Sequence, residues 1–226
     1  MAELVFVGFI AFATVTGGWT LVGDDALARQ AVVWIANVVM LLLISLGLRL
    51  RGQRWAHFGL SFRSGGRRAL LRTVLQAMVV LVIALLAFIA GSLLMTRWVP
   101  ASAAADMSGY GYLQGNLPML LLALAAVYVV SSFGEEAVYR GFLMNRLAEI
   151  TTGQGAAWAT AVLVSSIVFG LVHFSWGIVG MVQTTLMGLA LAASYLVVKR
   201  NLWVLIVAHA GIDREGAMQR DFGRHT

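Results

Sequence analysis

Long apolar runs recur along the chain, separated by short polar segments rich in arginine or glycine. They cover roughly 4–22, 31–48, 73–95, 117–134, 156–174 and 178–198, with a shorter one from about 202. A membrane-spanning helix needs about 20 largely apolar residues. A barrel strand would alternate polar and apolar positions, and these runs do not. The pattern predicts an all-α fold, a polytopic transmembrane helical bundle with about seven membrane helices, in a range of about six to eight. One integral membrane domain over 1–226 is expected, with its chemistry in a core at about 117–214.

Composition sharpens this. Hydrophobic residues make up 60% of the 226 and charged residues 12%, against about 25% charged in a soluble domain. Mean hydropathy is +0.86. The absence of cysteine removes disulfides, thiol catalysis and thiolate metal sites. The first run, "MAELVFVGFIAFATVTGGW", has no basic segment before it and no clear cleavage site, so it reads as a retained span.

The net charge of +6 would suggest nucleic acid in a soluble protein. Here the arginines lie between apolar runs, which makes them orientation signals and leaves no nucleic-acid partner. Arg49, Arg51, Arg54, Arg63, Arg67, Arg68 and Arg72 crowd one connector, which should be cytoplasmic. Counting spans puts the loop near 150–155, flanked by Arg140 and Arg146, on that side, with Lys199–Arg200 and the N-terminus. The loop 96–117, whose only basic residue is Arg97, falls outside. "RSGGRR" (63–68) reads as a basic connector able to meet acidic headgroups. "SGYGYLQGNLP" (108–118) does not match a dinucleotide fingerprint and reads as an irregular extracytoplasmic loop. No transporter-type internal repeat is evident.

Against this background "SSFGEEAVYRGFL" (131–143) stands out, because Glu135, Glu136 and Arg140 follow directly on an apolar run. Helix should continue to about Glu149, turn at "TTGQG" (151–155), and resume near Ala156 in a helix carrying "SSIVFGLVHFSW". Glu135 lies 18 positions before residue 153 and His173 lies 20 after it. At about 1.5 Å per residue both stand roughly 27–30 Å from the turn, at matching depth. His209 and Asp213, four apart, share a helix face. His209 lies roughly 14 Å beyond the Lys199–Arg200 turn. If the 150–155 hairpin projects beyond the bilayer, Glu135, His173, His209 and Asp213 converge. Ionisable groups within spans cost several kcal/mol and usually face an interior cavity.

Plainer readings exist for each part. Glu136 and Arg140 fit an ordinary i, i+4 helix pair, and a single membrane histidine often only packs or hydrogen-bonds. Yet of four histidines, His57 in the basic loop and His225 in the tail read as solvated, and the other two fall beside the carboxylates.

Ser165, Ser166 and Ser175 lie near His173, but none sits in G-x-S-x-G, and H-E-x-x-H is absent. A carboxylate with two histidines suits direct attack by water. The glutamate takes a proton from water and returns it, one histidine orients the water, and a second histidine with a polar partner stabilises the oxyanion. The same residues, Glu135, His173 and His209, could instead hold zinc with one position open. The cofactor is therefore zinc or none.

"EEAVYR" (135–140), "FGLVH" (169–173) and "HAGID" (209–213) resemble, in order, the three motifs of the CPBP family, the CAAX proteases and bacteriocin-processing enzymes also called Abi. The resemblance implies an intramembrane endopeptidase with a cavity open to the cytosolic side. It implies that Glu135 and His173 activate water and that His209 with Asp213 form an oxyanion-stabilising pair. Glu136, Arg140 and Phe169 would support the site. The implied partners are the lipid bilayer and a membrane-associated peptide or protein, prenylated or bacteriocin-like. The implied location is a prokaryotic cytoplasmic membrane. Two other classes compete: a non-catalytic membrane immunity or scaffold protein, and a proton-coupled transporter with Glu135 as relay. After Asp213 the chain turns polar, "REGAMQRDFGRHT", so the last span should be only about 12 residues long, a half-helix or one ending at the cavity mouth.

Overall fold

In the computed structural model, residues 2–61, 66–99, 113, 115–151 and 153–222 are described, with side chains as far as Asp213 and without that of Gln154. The loop expected over 96–117 therefore lies mostly outside the described residues, as do Arg63 and His225. The described residues form a helical bundle without strands. Its helices are α1 (Ala2–Val22), α2 (Ala26–Leu50), α3 (Gly66–Met95), α4 (Leu117–Ile150), α5 (Gln154–Leu171), α6 (Gly177–Val197) and α7 (Leu202–Phe222). By length and composition α1 to α4 and the stretch Phe174–Val197 can cross a membrane. The apolar parts of α5 and α7, Gly155–Leu171 and Leu202–Asp213, are shorter. The chain is an integral membrane protein.

Local chemistry sets several helix ends. Asp25 caps α2 by accepting from the Ala28 N–H at 2.6 Å. Asn116 caps α4 through the Met119 N–H at 3.2 Å, with Pro118 in the first turn, where its missing N–H costs nothing. Helix α7 runs past Asp213 to Phe222, beyond the 12-residue apolar run. The polar continuation contains Arg, Glu, Ala, Met and Gln, all good helix formers, so loss of apolar character does not end the helix.

The ends of the bundle predicted to share one membrane face are in direct contact. Glu3 of α1 pairs with Arg51 at 3.0 Å and with Arg146 of α4 at 3.4 Å. Arg146 also pairs with Glu149 at 2.7 Å and donates to Gln53 at 2.6 Å. Arg200 donates to Asn145 (3.0 Å), Asn145 to the Tyr195 hydroxyl (3.1 Å), and that hydroxyl to the Phe58 carbonyl (2.7 Å). The N-terminus, the 51–59 segment, the end of α4 and the α6–α7 turn thus form one polar layer.

Within the bundle, α2 and α7 pack on the middle of α4, and α3 packs on α6 and α7. That middle, Val127–Leu143, is not α-helical. It winds in the wider i→i+5 register, closed by the Met144 N–H on the Tyr139 carbonyl. Such turns are rare, occur mostly singly and are frequent at functional sites. Here the register holds for 17 residues.

Candidate active site

The wide register explains how two neighbouring glutamates reach one partner. Consecutive residues in an α-helix are about 100° apart. With more residues per turn that angle shrinks, and adjacent side chains point more nearly the same way. Glu136 Oε1 lies 2.8 Å from His209 Nδ1, and Glu135 Oε2 lies 3.9 Å from His209 Nε2. Asp213, one turn beyond on α7, brings Oδ1 to 3.9 Å from the same Nε2. His209 is the hub, with both ring nitrogens facing carboxylates.

Beneath it lies a sealed layer. Glu136 is fully buried and Arg140 is 1% exposed. The Arg140 guanidinium donates to Glu136 Oε1 at 2.8 Å and to the Gly188 carbonyl at 3.2 Å, and lies 4.4 Å over the Phe169 ring. A carboxylate and a guanidinium withdrawn from water are tolerable only when paired and hydrogen-bonded, and the face of an aromatic ring adds attraction. Because Glu136 accepts, His209 Nδ1 carries the proton and Nε2 is left for chemistry. The i, i+4 pair is therefore more than a surface helix pair: it fixes the ring that the other carboxylates face.

Glu135 and Asp213 make the open edge, their side chains 15% and 19% exposed against 4% for His209. The Ser132 hydroxyl donates to Asp213 Oδ2 at 2.6 Å. Water can reach the two carboxylates that face Nε2 and cannot reach the one that holds Nδ1.

His173 is placed differently from expectation. Helix α5 stops at Leu171, and His173 sits on the connector to α6, just before a 3-10 turn over Phe174–Trp176. Its Nδ1 faces the Phe169 carbonyl at 2.7 Å. A carbonyl only accepts, so Nδ1 carries the proton and Nε2 keeps its lone pair. The ring lies between Phe169 and Trp176, 4.9 Å from each. Among the described residues His173 makes no hydrogen bond or ion pair with Glu135. Phe169 instead links His173 to His209, whose ring it meets at 6.2 Å, and also meets Tyr139 at 5.1 Å.

The count from the 150–155 turn assumed α-helical rise on both arms. The wide segment shortens one arm and the connector ends the other. What sets the depth instead is the α6–α7 turn, level with Trp158 because the Arg200 guanidinium lies 5.6 Å from that ring. From there nine residues lead to His209 and eleven from Trp158 to Phe169, about 14 and 16 Å at 1.5 Å each. The two rings meet at 6.2 Å.

Sequence reading missed Ser132, Tyr139, Trp176 and Gly188. Gly188 had no signal of its own. Its need for hydrogen appears only in three dimensions, since a Cβ there would lie 3.0 Å from Phe169 Cδ1 and 3.5 Å from Arg140 Nη2.

Zinc requires three or four donors at about 2.0–2.2 Å. Among the described residues no three His, Asp or Glu side chains are grouped to hold a metal. The carboxylates facing His209 Nε2 stand at 3.9 Å from it, and among the described residues His173 makes no hydrogen bond or ion pair with either of them. As placed, the donors do not fit the ion.

Residues 115–214 match the family described as type II CAAX prenyl endopeptidase, Rce1-like. Over this segment the chain is similar to the CAAX-protease family. The matched segment starts just before α4 and ends one residue after Asp213, so it contains every member of the cluster. No curated protein and no solved structure matches the chain.

Proposed function

We propose that this CAAX-type intramembrane protease cleaves its peptide by water activated at Glu135. The Glu135 carboxylate removes a proton from the water as its oxygen attacks the peptide carbonyl carbon. His173 Nε2, with its lone pair free, accepts a hydrogen bond from the other O–H of that water and orients it. A proton on His209 Nε2, held between the Glu135 and Asp213 carboxylates, donates to the oxyanion. The carbon–nitrogen bond then breaks and Glu135 returns its proton to the leaving amine. Asp213 is a carboxylate and cannot donate to an oxyanion, so in this reading it holds the His209 proton and is itself held by Ser132. The substrate class is a membrane-associated peptide or protein, with a prenylated C-terminal segment the first to try.

One observation carries the reading: His209 stands between a sealed Glu136–Arg140 pair and two water-accessible carboxylates. The test uses the full chain in liposomes with a farnesylated CAAX-type reporter peptide. Glu135→Gln should insert and fold normally and lose about 10²–10⁴-fold in rate. Cleavage at the wild-type rate would sink the assignment. A chelator should leave the wild-type rate unchanged, whereas loss restored by zinc would favour a metal-held water.

We also propose that the polar layer joining Glu3, Arg51, Arg146 and Arg200 faces the cytoplasm, because Arg51 and Gln53, at the start of the arginine-rich sequence between α2 and α3, belong to it. The chain has no cysteine. A single cysteine at exposed position 72 (Arg72→Cys) should react with a membrane-impermeant thiol reagent only from the cytoplasmic side; reaction from the other side would invert the topology.

A further inference from the structure

The α6–α7 turn builds a second polar site, away from His209. The turn is clamped to the segment after α2. The Leu202 N–H donates to the Gly59 carbonyl at 3.2 Å, and the Tyr195 hydroxyl reaches Phe58. Gly59 is left-handed (φ 85°) and closely faces the Arg200 carbonyl, which leaves no room for a Cβ. Between the two segments lies a cavity of about 130 Å³ lined by His57, Gly59, Ser61, Lys199, Arg200 and Asn201. It offers donors and cations, and no carboxylate lines it.

Three of its groups are uncommitted. Among the described residues the exposed Lys199 ammonium has no ion pair, and the Ser61 hydroxyl has no hydrogen bond. Asn201 is only 8% exposed, yet its side-chain amide has no protein partner and lines the cavity. The residue is nearly covered but its amide stays open to the cavity, free to donate to an anion there. Lys199 and Arg200 also line an adjoining, more open hollow of about 420 Å³, whose other walls are Trp158 and Leu196. A polar, cationic cavity and a partly apolar hollow thus share the same two cations. Free phosphate would use only the first, whereas a phosphate carried on an apolar body would use both.

We propose that the Lys199–Arg200 turn binds an acidic phospholipid. Its phosphate would sit among Lys199, Ser61 and Asn201, with its glycerol and upper acyl carbons on Trp158 and Leu196. The turn stands in the basic layer, at the depth where headgroups, basic side chains and interfacial tryptophans meet.

The test is native mass spectrometry of the purified full chain in detergent, titrated with phosphatidylglycerol or with phosphatidylcholine of equal chain length. Lys199→Gln and Asn201→Ala should each weaken phosphatidylglycerol binding by about fivefold and leave phosphatidylcholine binding unchanged. Arg72→Gln, removing an exposed charge on α3 outside the cavity, should bind like the wild type. Wild-type binding by both cavity variants would overturn the site. An equal loss in Arg72→Gln would reduce it to diffuse surface charge. Displacement of the lipid by inorganic phosphate at matched concentration would make the ligand a free anion and overturn the lipid assignment. Should Asn201→Ala fail to fold, Lys199→Gln, on an exposed side chain, still decides the question.

Discussion

Helices α1 and α4 are both apolar enough to cross a membrane, yet α1 and the middle of α4 use their surroundings in opposite ways. Over its 21 residues α1 buries only Val7, and it turns Phe6, Phe9 and Phe12 outward at 54%, 64% and 68% exposure. The 17 residues Val127–Leu143 bury ten, including Ser132, Glu136 and Arg140. Lipid tails are as apolar as leucine, so an outward apolar side chain gains no hydrophobic drive by packing on protein. A charged one in the same layer must find a partner. Helix α1 is therefore specified by its solvent, and the α4 segment by its neighbours. That is also why chemistry can collect in α4: the enclosing groups have to be there before the glutamates can be.

This contrast can be attacked at several points. The largest effect on folding should come from Arg140→Ala, which leaves Glu136 charged, buried and unpaired. Breaking a buried pair costs about 3–5 kcal/mol, read as loss of thermal stability of the purified protein, with His209 misaligned and activity lost as well. A wild-type melting curve would show that the sealed layer does not hold the site. Next, Gly188→Ala pushes a methyl toward Phe169 Cδ1 at 3.0 Å. Overpacking costs about 1–3 kcal/mol, and activity should fall more steeply than stability, because Phe169 touches both histidines. Equal stability and equal activity would show that Phe169 can move freely. Smallest should be Phe9→Leu on the outward face of α1, within about 0.5 kcal/mol. A cost of 2 kcal/mol or more, roughly what burial of a whole apolar side chain is worth, would mean that α1 packs on something and is not facing lipid.

Much of the candidate cluster was legible in advance. Glu135, Glu136 and Arg140 were marked by charge inside an apolar run, and His209 with Asp213 by their four-residue spacing. The first reading rests on composition and the second on local helical spacing, both of which sequence carries well. His173 was legible as a residue but not in its setting. Nothing in "FGLVHFSW" states that the helix ends at Leu171, since the stretch stays apolar and contains no proline. The wide register of α4 was not legible at all. No proline or glycine pair forces it, and its i→i+5 bonds coexist with packing against α2 and α7.

By itself the sequence determined the membrane class, the order and approximate limits of the helices, the basic face, and the three motifs that could carry chemistry. These follow from solvent preference and short-range periodicity, which act within a few residues. Only the tertiary structure decided which carboxylate is sealed and which meets water. Glu135 and Glu136 are the same side chain at adjacent positions. They differ because Arg140 and His209 close around Glu136, with Arg140 held in turn by the Gly188 carbonyl, and those groups come from three helices.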